Sequence, residues 1–185
     1  MMMKEYTNKD LETFERNVLG DLICPSGDYT AIKEFPENCS FGALCVFNNE
    51  CHFGNYCNFG AYCIFGSHCV FGEYCVFGEY CGFGKQCCFG WGCDFGEGCS
   101  FCRRCSHEGL TNSIYVAIDR IGSELRKTYF FRAEEGYFVR AGCFFGTFDE
   151  FKAKVHETHR GTIHETTYLM ACELAVKLLD SQWKE

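Results

Sequence analysis

The sequence predicts a mainly β protein in which short strands and turns alternate along a coil, followed by a small α+β domain. Three observations predict it. Phenylalanine stands at every sixth position from Phe35 to Phe101, a cysteine follows each of these phenylalanines four residues later, and the repeat stops after Ser106. A six-residue period matches neither the period of a helix, roughly 3.6 residues, nor the alternation of a continuous strand, but it suits a short strand and a turn in each repeat.

The composition limits the class of protein. The chain has 185 residues, 17 of them cysteine, and a formal net charge of −8. So much cysteine is typical of a secreted disulfide scaffold. Residues 1–10 are polar, however, and no long apolar stretch follows, so we expect no export signal, no membrane contact and a reducing cytoplasmic compartment. The acidic residues are spread evenly along the chain, which argues against direct binding of nucleic acid.

Residues 1–34 are predicted to form an N-terminal helical cap. Thr7 and Asp10 are suited to begin a helix, which we expect to continue through Leu19 and to end at Gly20. Such a helix covers the strand edges at the open end of the coil, as the caps of other solenoid proteins do.

Residues 35–109 are predicted to form the coil itself, with the repeating unit F-G-x-x-C-x. Glycine follows the phenylalanine in nine of the twelve units and is expected to supply turn conformations that other residues avoid. The cysteine and the next phenylalanine lie two residues apart, so both point to the same side of a strand and form a core of large and small side chains. The twelve cysteines of the repeat are therefore predicted to be buried, reduced and unreactive.

Two other roles for the cysteines stay open. Equivalent cysteines of neighbouring coils lie within reach of a disulfide, although a reducing compartment disfavours one. Cys99, Cys102, Cys105 and His107 have the spacing of a zinc site. The repeat directs Cys99 and Cys105 inward, whereas Cys102 replaces a turn glycine, so we expect no metal and no other cofactor.

The unit F-G-x-x-C-x resembles the hexapeptide repeat of left-handed parallel β-helix proteins, in which a large apolar residue is followed by glycine and, four positions after it, by a small residue. The resemblance covers residues 35–106. It implies three hexads in each triangular coil, four coils in all, and a left-handed β-helix. Proteins of this family commonly form trimers through their prisms, and many are acyltransferases that use a histidine between subunits as general base.

Residues that alternate with the core positions are predicted to form outward columns with a period of eighteen residues. One column is apolar and is predicted to be the interface of a homotrimer. Its members are Leu44, Val46, Tyr62, Ile64 and Tyr80. A second column presents Tyr56 and Tyr74, which suit contact with a partner protein or stacking on a ring.

The third column carries His52 and His68 on neighbouring coils. If the protein is an acyltransferase, these imidazoles are the candidates for the general base. Acyltransferases of this family usually interrupt their coils with a loop that builds a pocket. The repeat has no such insertion, so we favour ordinary surface histidines on a scaffold.

Residues 110–185 are predicted to form a β-β-β-α-α domain. Thr147 and Glu150 make a capping box that begins the first helix, which ends near His159. The predicted strands are Asn112–Ile118, Lys127–Phe131 and Tyr137–Phe145, and the second predicted helix is Glu165–Gln182.

The run from Tyr137 to Glu150, with Val155–His159 after it, resembles a module of small phage and prophage proteins that have no assigned activity. The resemblance covers about residues 127–180 and implies a viral origin, which places the protein in the cytoplasm of a bacterial host. Arg132 and Arg140 within this module are candidates to hold an anion, or they are solvated surface residues.

The chain has no phosphate-binding loop, nucleophile elbow or convincing metal-ligand pair at helical spacing. The predicted function is therefore a non-enzymatic, phage-encoded binding protein that counters host defence by binding a defence protein or by sequestering a small nucleotide signal. For a nucleotide, Tyr56 and Tyr74 are predicted to stack on the base while Arg132 and Arg140 hold phosphates. The alternatives are an acyltransferase that uses acyl-CoA and a structural component of the phage.

Overall fold

A computed structural model describes residues 3–102 and 105–183, and the chain divides into two compact units, Met1–Asn112 and Ser113–Glu185. The predicted domain ranges 1–34, 35–109 and 110–185 also include residues 1, 2, 103, 104, 184 and 185, which lie outside the described part. In the first unit the elements are α1 (Asn8–Thr13), β1 (Leu22–Cys24), β2 (Glu34–Phe35), β3 (Cys39–Phe41), β4 (Val46–Phe47), β5 (His52–Phe53), β6 (Asn58–Phe59), β7 (Ile64–Phe65), β8 (Val70–Phe71), β9 (Val76–Phe77), β10 (Gly82–Phe83), β11 (Cys88–Phe89), β12 (Asp94–Phe95) and β13 (Ser100–Phe101). In the second unit they are β14 (Ile114–Ile121), β15 (Arg126–Ala133), β16 (Gly136–Ala141), β17 (Phe144–Thr147), α2 (Phe148–His159) and α3 (Ile163–Gln182).

The first unit is a parallel β-solenoid of about four turns, which confirms the predicted coil. Every third strand joins the same sheet. We name the sheets A (β4-β7-β10-β13), B (β1-β3-β6-β9-β12) and C (β2-β5-β8-β11). From β2 onward strand partners lie eighteen residues apart, as in Val46, Ile64, Gly82 and Ser100 of sheet A, so three hexads complete one turn; β1 pairs with β3 at a separation of seventeen.

The core of the solenoid consists of stacked phenylalanine rings. Phe65 illustrates the pattern: its ring stacks between those of Phe47 and Phe83, at 4.9 Å from each, with planes within 3° of parallel. It also meets Phe59 and Phe71 edge-on at 5.0 Å. Offset stacks and edge-to-face contacts are both favourable arrangements of aromatic rings, so every ring supports its neighbours along and across the axis.

The ring stack is longer than the phenylalanine repeat. Tyr29, six residues before Phe35, is fully buried and stacks on Phe47 at 5.4 Å. At the other end His107, six residues after Phe101, is buried and stacks on Phe89 at 5.0 Å. Both residues therefore continue the core in the same register.

The predicted N-terminal helix is too long, and it is not what covers the core. Helix α1 ends at Thr13 and buries none of its residues. The side-chain oxygen of Asn17 instead accepts the backbone N–H groups of Leu19 and Asp21, a local turn that competes with the helix. Tyr6 closes the end of the solenoid by stacking on Tyr29 at 4.9 Å.

The corners of the solenoid overturn the expected role of glycine. From Phe35 to Phe95 the left-handed conformation falls on the third residue after the phenylalanine, where Leu44, Tyr56 and Tyr62 have φ of 61°, 58° and 60°. The glycine that directly follows phenylalanine is needed for space. A Cβ at Gly60 would lie 2.5 Å from the backbone nitrogen of Ala43 on the preceding coil.

The cysteine thiols donate hydrogen bonds to the preceding coil. The Sγ atoms of Cys81 and Cys93 donate to the carbonyls of Gly60 and Gly72, each at 3.4 Å, and the same contact recurs from coil to coil. A thiol is a weak donor that is small enough for this narrow prism. Alanine or valine would leave these corner carbonyls without that partner, which explains why cysteine fills the small core position.

The second unit is a four-stranded antiparallel sheet, in the order β14-β15-β16-β17, packed against α2 and α3. The third predicted strand is in fact two strands, because Gly142 adopts a φ of 61° and turns the chain between β16 and β17. The predicted capping box is confirmed. Glu150 accepts the Thr147 N–H at 2.8 Å, and the Thr147 hydroxyl accepts the Glu150 N–H at 3.3 Å. None of the helices within the described ranges is long and apolar enough to cross a membrane.

Candidate binding surface

The outward residues of the solenoid lie in two kinds of position, on flat sheets and at corners. We name the corners by their residues. The tyrosine corner (36–38, 54–56, 72–74, 90–92) joins sheet C to sheet B, the apolar corner (42–44, 60–62, 78–80, 96–98) joins B to A, and the polar corner (48–50, 66–68, 84–86) joins A to C. Corner and strand residues that the period of eighteen assigns to one column are separated by the left-handed turn.

The tyrosine corner carries an exposed strip of aromatic rings. The rings of Tyr56 and Tyr74 stack at 5.3 Å with their planes 3° apart, and Trp91 meets Tyr74 edge-on at 5.2 Å. Tyr56 is 50 % exposed and Tyr74 is 39 % exposed. Exposed aromatic side chains with polar edges are typical of surfaces that contact other macromolecules.

The backbone beneath the strip holds the rings in place. The N–H groups of Tyr56 and Tyr74 donate to the carbonyls of Glu73 and Trp91 on the next coil, at 2.9 and 2.8 Å. The Tyr74 ring extends over the following coil, where a Cβ at Gly92 would lie 2.7 Å from it. The strip is therefore built on hydrogen-bonded coils rather than on a loop.

Carboxylates flank the aromatic strip. Glu37 and Glu73 occupy the tyrosine corner, Glu34 precedes it on sheet C, and Asp94 follows it on sheet B; all four residues are exposed. From Phe35 to Cys102 the chain has six acidic residues and one basic residue, Lys85, which lies at the polar corner. The tyrosine corner is therefore aromatic and acidic, and lysine and arginine are absent from it.

The predicted apolar column is exposed, and it is divided between the apolar corner and sheet A. Leu44, Tyr62 and Tyr80 lie at the corner, where Tyr62 and Tyr80 stack at 5.2 Å. Ile64 is 57 % exposed on sheet A, beside the half-buried Val46. The corner residues and the strand residues of this column are neighbours in the chain, because each strand of sheet A directly follows its corner.

His52 and His68 belong to different columns. His52 lies on sheet C between Glu34 and Val70, while His68 lies at the polar corner with a φ of 60°. Both imidazoles are exposed, and neither has a hydrogen-bond or ion-pair partner among residues 3–102 and 105–183. A general base is normally oriented by a further group, and no such group is in place at either histidine within those ranges.

Arg132 and Arg140 are not brought together. In the register of β15 and β16, Arg132 faces Tyr137, while Arg140 faces Tyr129. Residues 129 and 132 are an odd number of positions apart, so the two arginines project from opposite faces of the sheet. They do not form a single phosphate-binding pair.

Each arginine has its own aromatic neighbour. The guanidinium of Arg132 lies 4.8 Å from the ring centroid of Trp183 and forms an ion pair with Asp180. The Tyr137 hydroxyl donates to the same carboxylate, and this hydrogen bond raises the pKa of Tyr137. The guanidinium of Arg140 lies 4.4 Å from the ring centroid of Tyr129. Arg132 is thus engaged within its own unit.

The four residues with the spacing of a zinc site do not converge. Cys99 and Cys105 point inward on different sheets and donate to the carbonyls of Gly78 and Gly84. The His107 ring lies in the phenylalanine stack, while Cys102 is exposed. Over the described residues, no group of three or more His, Cys, Asp or Glu side chains is placed to hold a metal ion.

The cysteines are all free thiols, and those of the phenylalanine core donate to backbone carbonyls of the preceding coil. Hydrogen bonds with the thiols of Cys45 and Cys81, together with burial, raise the pKa of Cys63. In the second unit, burial raises the pKa of Cys172 to about 11, although this residue lines a pocket of about 280 Å³ between α2 and α3. Nucleophilic chemistry needs a thiolate, so these cysteines are structural.

Sequence reasoning missed Trp91, Glu37 and Glu73, which complete the tyrosine corner. The signal was present at the second residue after each phenylalanine, where steps of eighteen residues give Glu37, Asn55, Glu73 and Trp91. Alternation along a strand predicts only the positions that point outward from strands, and these three residues lie between strands. At the tyrosine corner the second residue is exposed at Glu37 and Glu73 and half-buried at Asn55 and Trp91.

Comparisons with protein-family models, curated proteins and solved structures give no match to this chain.

Proposed function

We propose that the protein is a non-enzymatic binding protein whose partner site is the tyrosine corner. The observation that carries this proposal is the exposed stack of Tyr56 and Tyr74 with Trp91 against it, on coils that no pocket-forming loop interrupts. A rigid, convex surface of this kind suits a partner that lies across it. An enzyme instead requires a concave site with convergent polar groups.

A protein partner fits this surface better than a nucleotide does. The rings of Tyr56 and Tyr74 are already in contact at 5.3 Å, so a base has no space between them. Glu37 and Glu73 at the same corner repel phosphate groups. Arg132 and Arg140, the candidates for holding phosphates, diverge on opposite faces of their sheet.

The biological setting in this proposal is counter-defence in a phage-infected bacterium, in which the protein occupies a host defence protein. The resemblance of residues 127–180 to modules of phage proteins supports it. The self-association surface is the apolar column, and a homotrimer brings three copies of the tyrosine corner into one assembly. Binding by several linked copies strengthens attachment to a partner that is itself oligomeric.

Site-specific photocross-linking in cells tests the partner site. We expect a benzophenone side chain at position 56 to capture a host protein that the same group at position 50, on the polar corner, does not capture. The captured protein, once purified, is expected to bind the wild-type protein and to lose binding to the Tyr56→Ser/Tyr74→Ser variant. A host protein that cross-links equally from both positions would contradict the proposed site.

Light scattering tests the assembly separately. Ile64→Arg places a charge in the centre of the apolar column and is expected to give monomers, while the coils keep their circular dichroism spectrum. Val70→Arg, on sheet C outside the column, is the matched control and is expected to leave the trimer intact. A wild-type protein that is monomeric at micromolar concentration would rule out the trimer.

A further inference from the structure

We propose that the tyrosine corner receives a basic polypeptide segment, with arginine or lysine side chains lying against the rings of Tyr56, Tyr74 and Trp91 and pairing with Glu37 and Glu73. This inference rests on the proposed function and specifies the chemistry of its partner.

The distribution of charge carries the first step. The carboxylates of Glu37 and Glu73 are exposed at the tyrosine corner, and neither has an ion-pair partner within the residues described. The coils from Phe35 to Cys102 place their one lysine, Lys85, at the polar corner instead. An approaching basic segment therefore meets uncompensated negative charge here, which steers its approach and fixes its orientation.

The aromatic strip carries the second step. Arginine and lysine are attracted to the faces of tryptophan and tyrosine rings, and arginine can stack on them with its planar guanidinium. Glu73 directly precedes Tyr74 in the chain, so a ring and a carboxylate stand side by side on one turn. A single cationic side chain can contact both groups. An anionic or purely apolar partner makes no use of these carboxylates and must desolvate them without compensation.

The repeat spacing sets how such a segment lies. Tyr56 and Tyr74 are one coil apart, and Glu37 stands one coil before the Asn55–Tyr56 turn. Coils are separated by the spacing of parallel strands, about 4.8 Å. A segment that runs along the solenoid axis therefore meets alternating acidic and aromatic side chains over about 10 to 15 Å.

Tryptophan fluorescence gives a test that reports from the corner itself. The protein has two tryptophans, Trp91 at the tyrosine corner and Trp183 after α3, so Trp183→Phe leaves Trp91 as the single emitter. This variant is titrated at low ionic strength with a short peptide rich in arginine. A second peptide carries glutamate in place of every arginine. We expect a saturable change of Trp91 emission with the arginine peptide and no change with the glutamate peptide.

Two matched variants separate the corner from the overall charge of the protein. Glu73→Gln and Glu50→Gln each remove one negative charge, the first at the tyrosine corner and the second at the polar corner. We expect Glu73→Gln to weaken binding of the arginine peptide about threefold to tenfold and Glu50→Gln to change it by less than about twofold. Equal weakening by both variants, or a response to the glutamate peptide, would overturn the inference.

Failure of this inference and failure of the proposed function are distinguishable. Cross-linking from position 56 does not depend on the charge of the partner. If position 56 captures a host protein that binds the purified chain while the arginine peptide leaves Trp91 emission unchanged, the basic partner is wrong and the binding function stands. If position 56 captures nothing that position 50 does not also capture, the proposed partner site itself is wrong.

Discussion

Gly60→Ala tests why glycine follows phenylalanine in the repeat. The substitution stabilises or destabilises the protein depending on whether the glycine serves turn geometry or the close approach of two coils. Gly60 has no left-handed φ, so its backbone conformation is accessible to alanine. An alanine at a position without strain would stabilise the protein by about 0.4–1 kcal/mol, because it reduces the freedom of the unfolded chain. If the glycine served turn geometry alone, Gly60→Ala would therefore be neutral or stabilising.

The structure gives the opposite expectation. The added Cβ would lie 2.5 Å from the nitrogen and 2.7 Å from the Cα of Ala43, and ordinary contact begins at 3.4 Å, so the two coils must separate locally by about 0.9 Å. The Gly60 N–H donates to the Phe41 carbonyl at 3.0 Å between the same coils and resists that movement. We expect a destabilisation of about 1–3 kcal/mol, the usual cost of overpacking.

Gln86→Gly is the complementary control. Gln86 holds a φ of 58° at the polar corner, and a left-handed conformation costs a residue with a side chain about 1–2 kcal/mol. Glycine at this position removes that strain and is expected to stabilise the solenoid by up to about 1 kcal/mol. The greater conformational entropy of glycine in the unfolded chain offsets part of this gain. The two substitutions should thus move stability in opposite directions.

Urea unfolding followed by circular dichroism measures both effects. With a slope of about 2 kcal/mol per molar urea, Gly60→Ala lowers the midpoint of the solenoid transition by about 0.5–1.5 M and Gln86→Gly raises it. A Gly60→Ala protein as stable as the wild type, or a Gln86→Gly protein that is clearly less stable, would refute the assignment of close approach to one position and left-handed geometry to the other.

Three further predictions follow from the core, the thiols and the capping box. Phe65→Ala is expected to cost about 3–5 kcal/mol in urea unfolding, whereas Val70→Ala, at an exposed position of sheet C outside the apolar column, changes stability by less than about 0.5 kcal/mol; similar values would contradict the ring stack. Iodoacetamide is expected to label three cysteines in the native protein, the exposed Cys88, Cys102 and Cys143, and mass spectrometry showing rapid labelling of the buried core cysteines would contradict their enclosure between the coils. The Thr147 N–H and hydroxyl hold the pKa of Glu150 below its usual range, so the stability that this carboxylate supplies is present above the unfolded pKa, about 4.3, and is lost as the pH falls through the lower folded value. Glu150→Gln is expected to flatten this acid-limb dependence of unfolding, and an unchanged acid limb would count against the capping box.

The core could be predicted because its signal is periodic and chemically simple. Phenylalanine and cysteine each occupy one phase of the repeat, and alternation along a strand directs both inward. The repeat of phenylalanines does not predict that Tyr29 and His107 belong to the core, because neither is a phenylalanine. Tyr29 nevertheless lies six residues before Phe35, and His107 lies six residues after Phe101. Planar rings of the right size continue the stack, and burial raises the pKa of Tyr29 as the core encloses it.

The corners could not be predicted from local preferences. Leucine, tyrosine, histidine and glutamine rarely adopt positive φ, whereas glycine does so readily, so the sequence suggests that each turn lies at the glycine. The packing of one coil on the next places the turn elsewhere. Backbone groups approach most closely at the residue after phenylalanine, which excludes a Cβ there and moves the left-handed turn two residues further on.

The predicted length of the N-terminal helix is wrong for a related reason. Residues 7–19 contain a good helix start, and local signals alone favour continuation to the next glycine. Asn17 instead caps a turn, and Ile23 donates its N–H to the Glu15 carbonyl, so this segment is used to begin the solenoid. Tertiary hydrogen bonds determined where the helix ends.

The tyrosines at the corners are not explained by the stability of the coil. The left-handed conformation destabilises the fold by about 1–2 kcal/mol at each tyrosine. The stack of Tyr56 on Tyr74 stabilises it by about 0.5–1.5 kcal/mol in all, which is less than the cost at the two residues together. The same chain uses glycine at the equivalent positions 92 and 98, which avoids this cost. Glu50, His68 and Gln86 hold the same conformation at the polar corner, so the exposed aromatic stack, not the backbone conformation, distinguishes the tyrosine corner. Because each corner residue is fixed by backbone hydrogen bonds between coils, its side chain can serve recognition without disturbing the phenylalanine core.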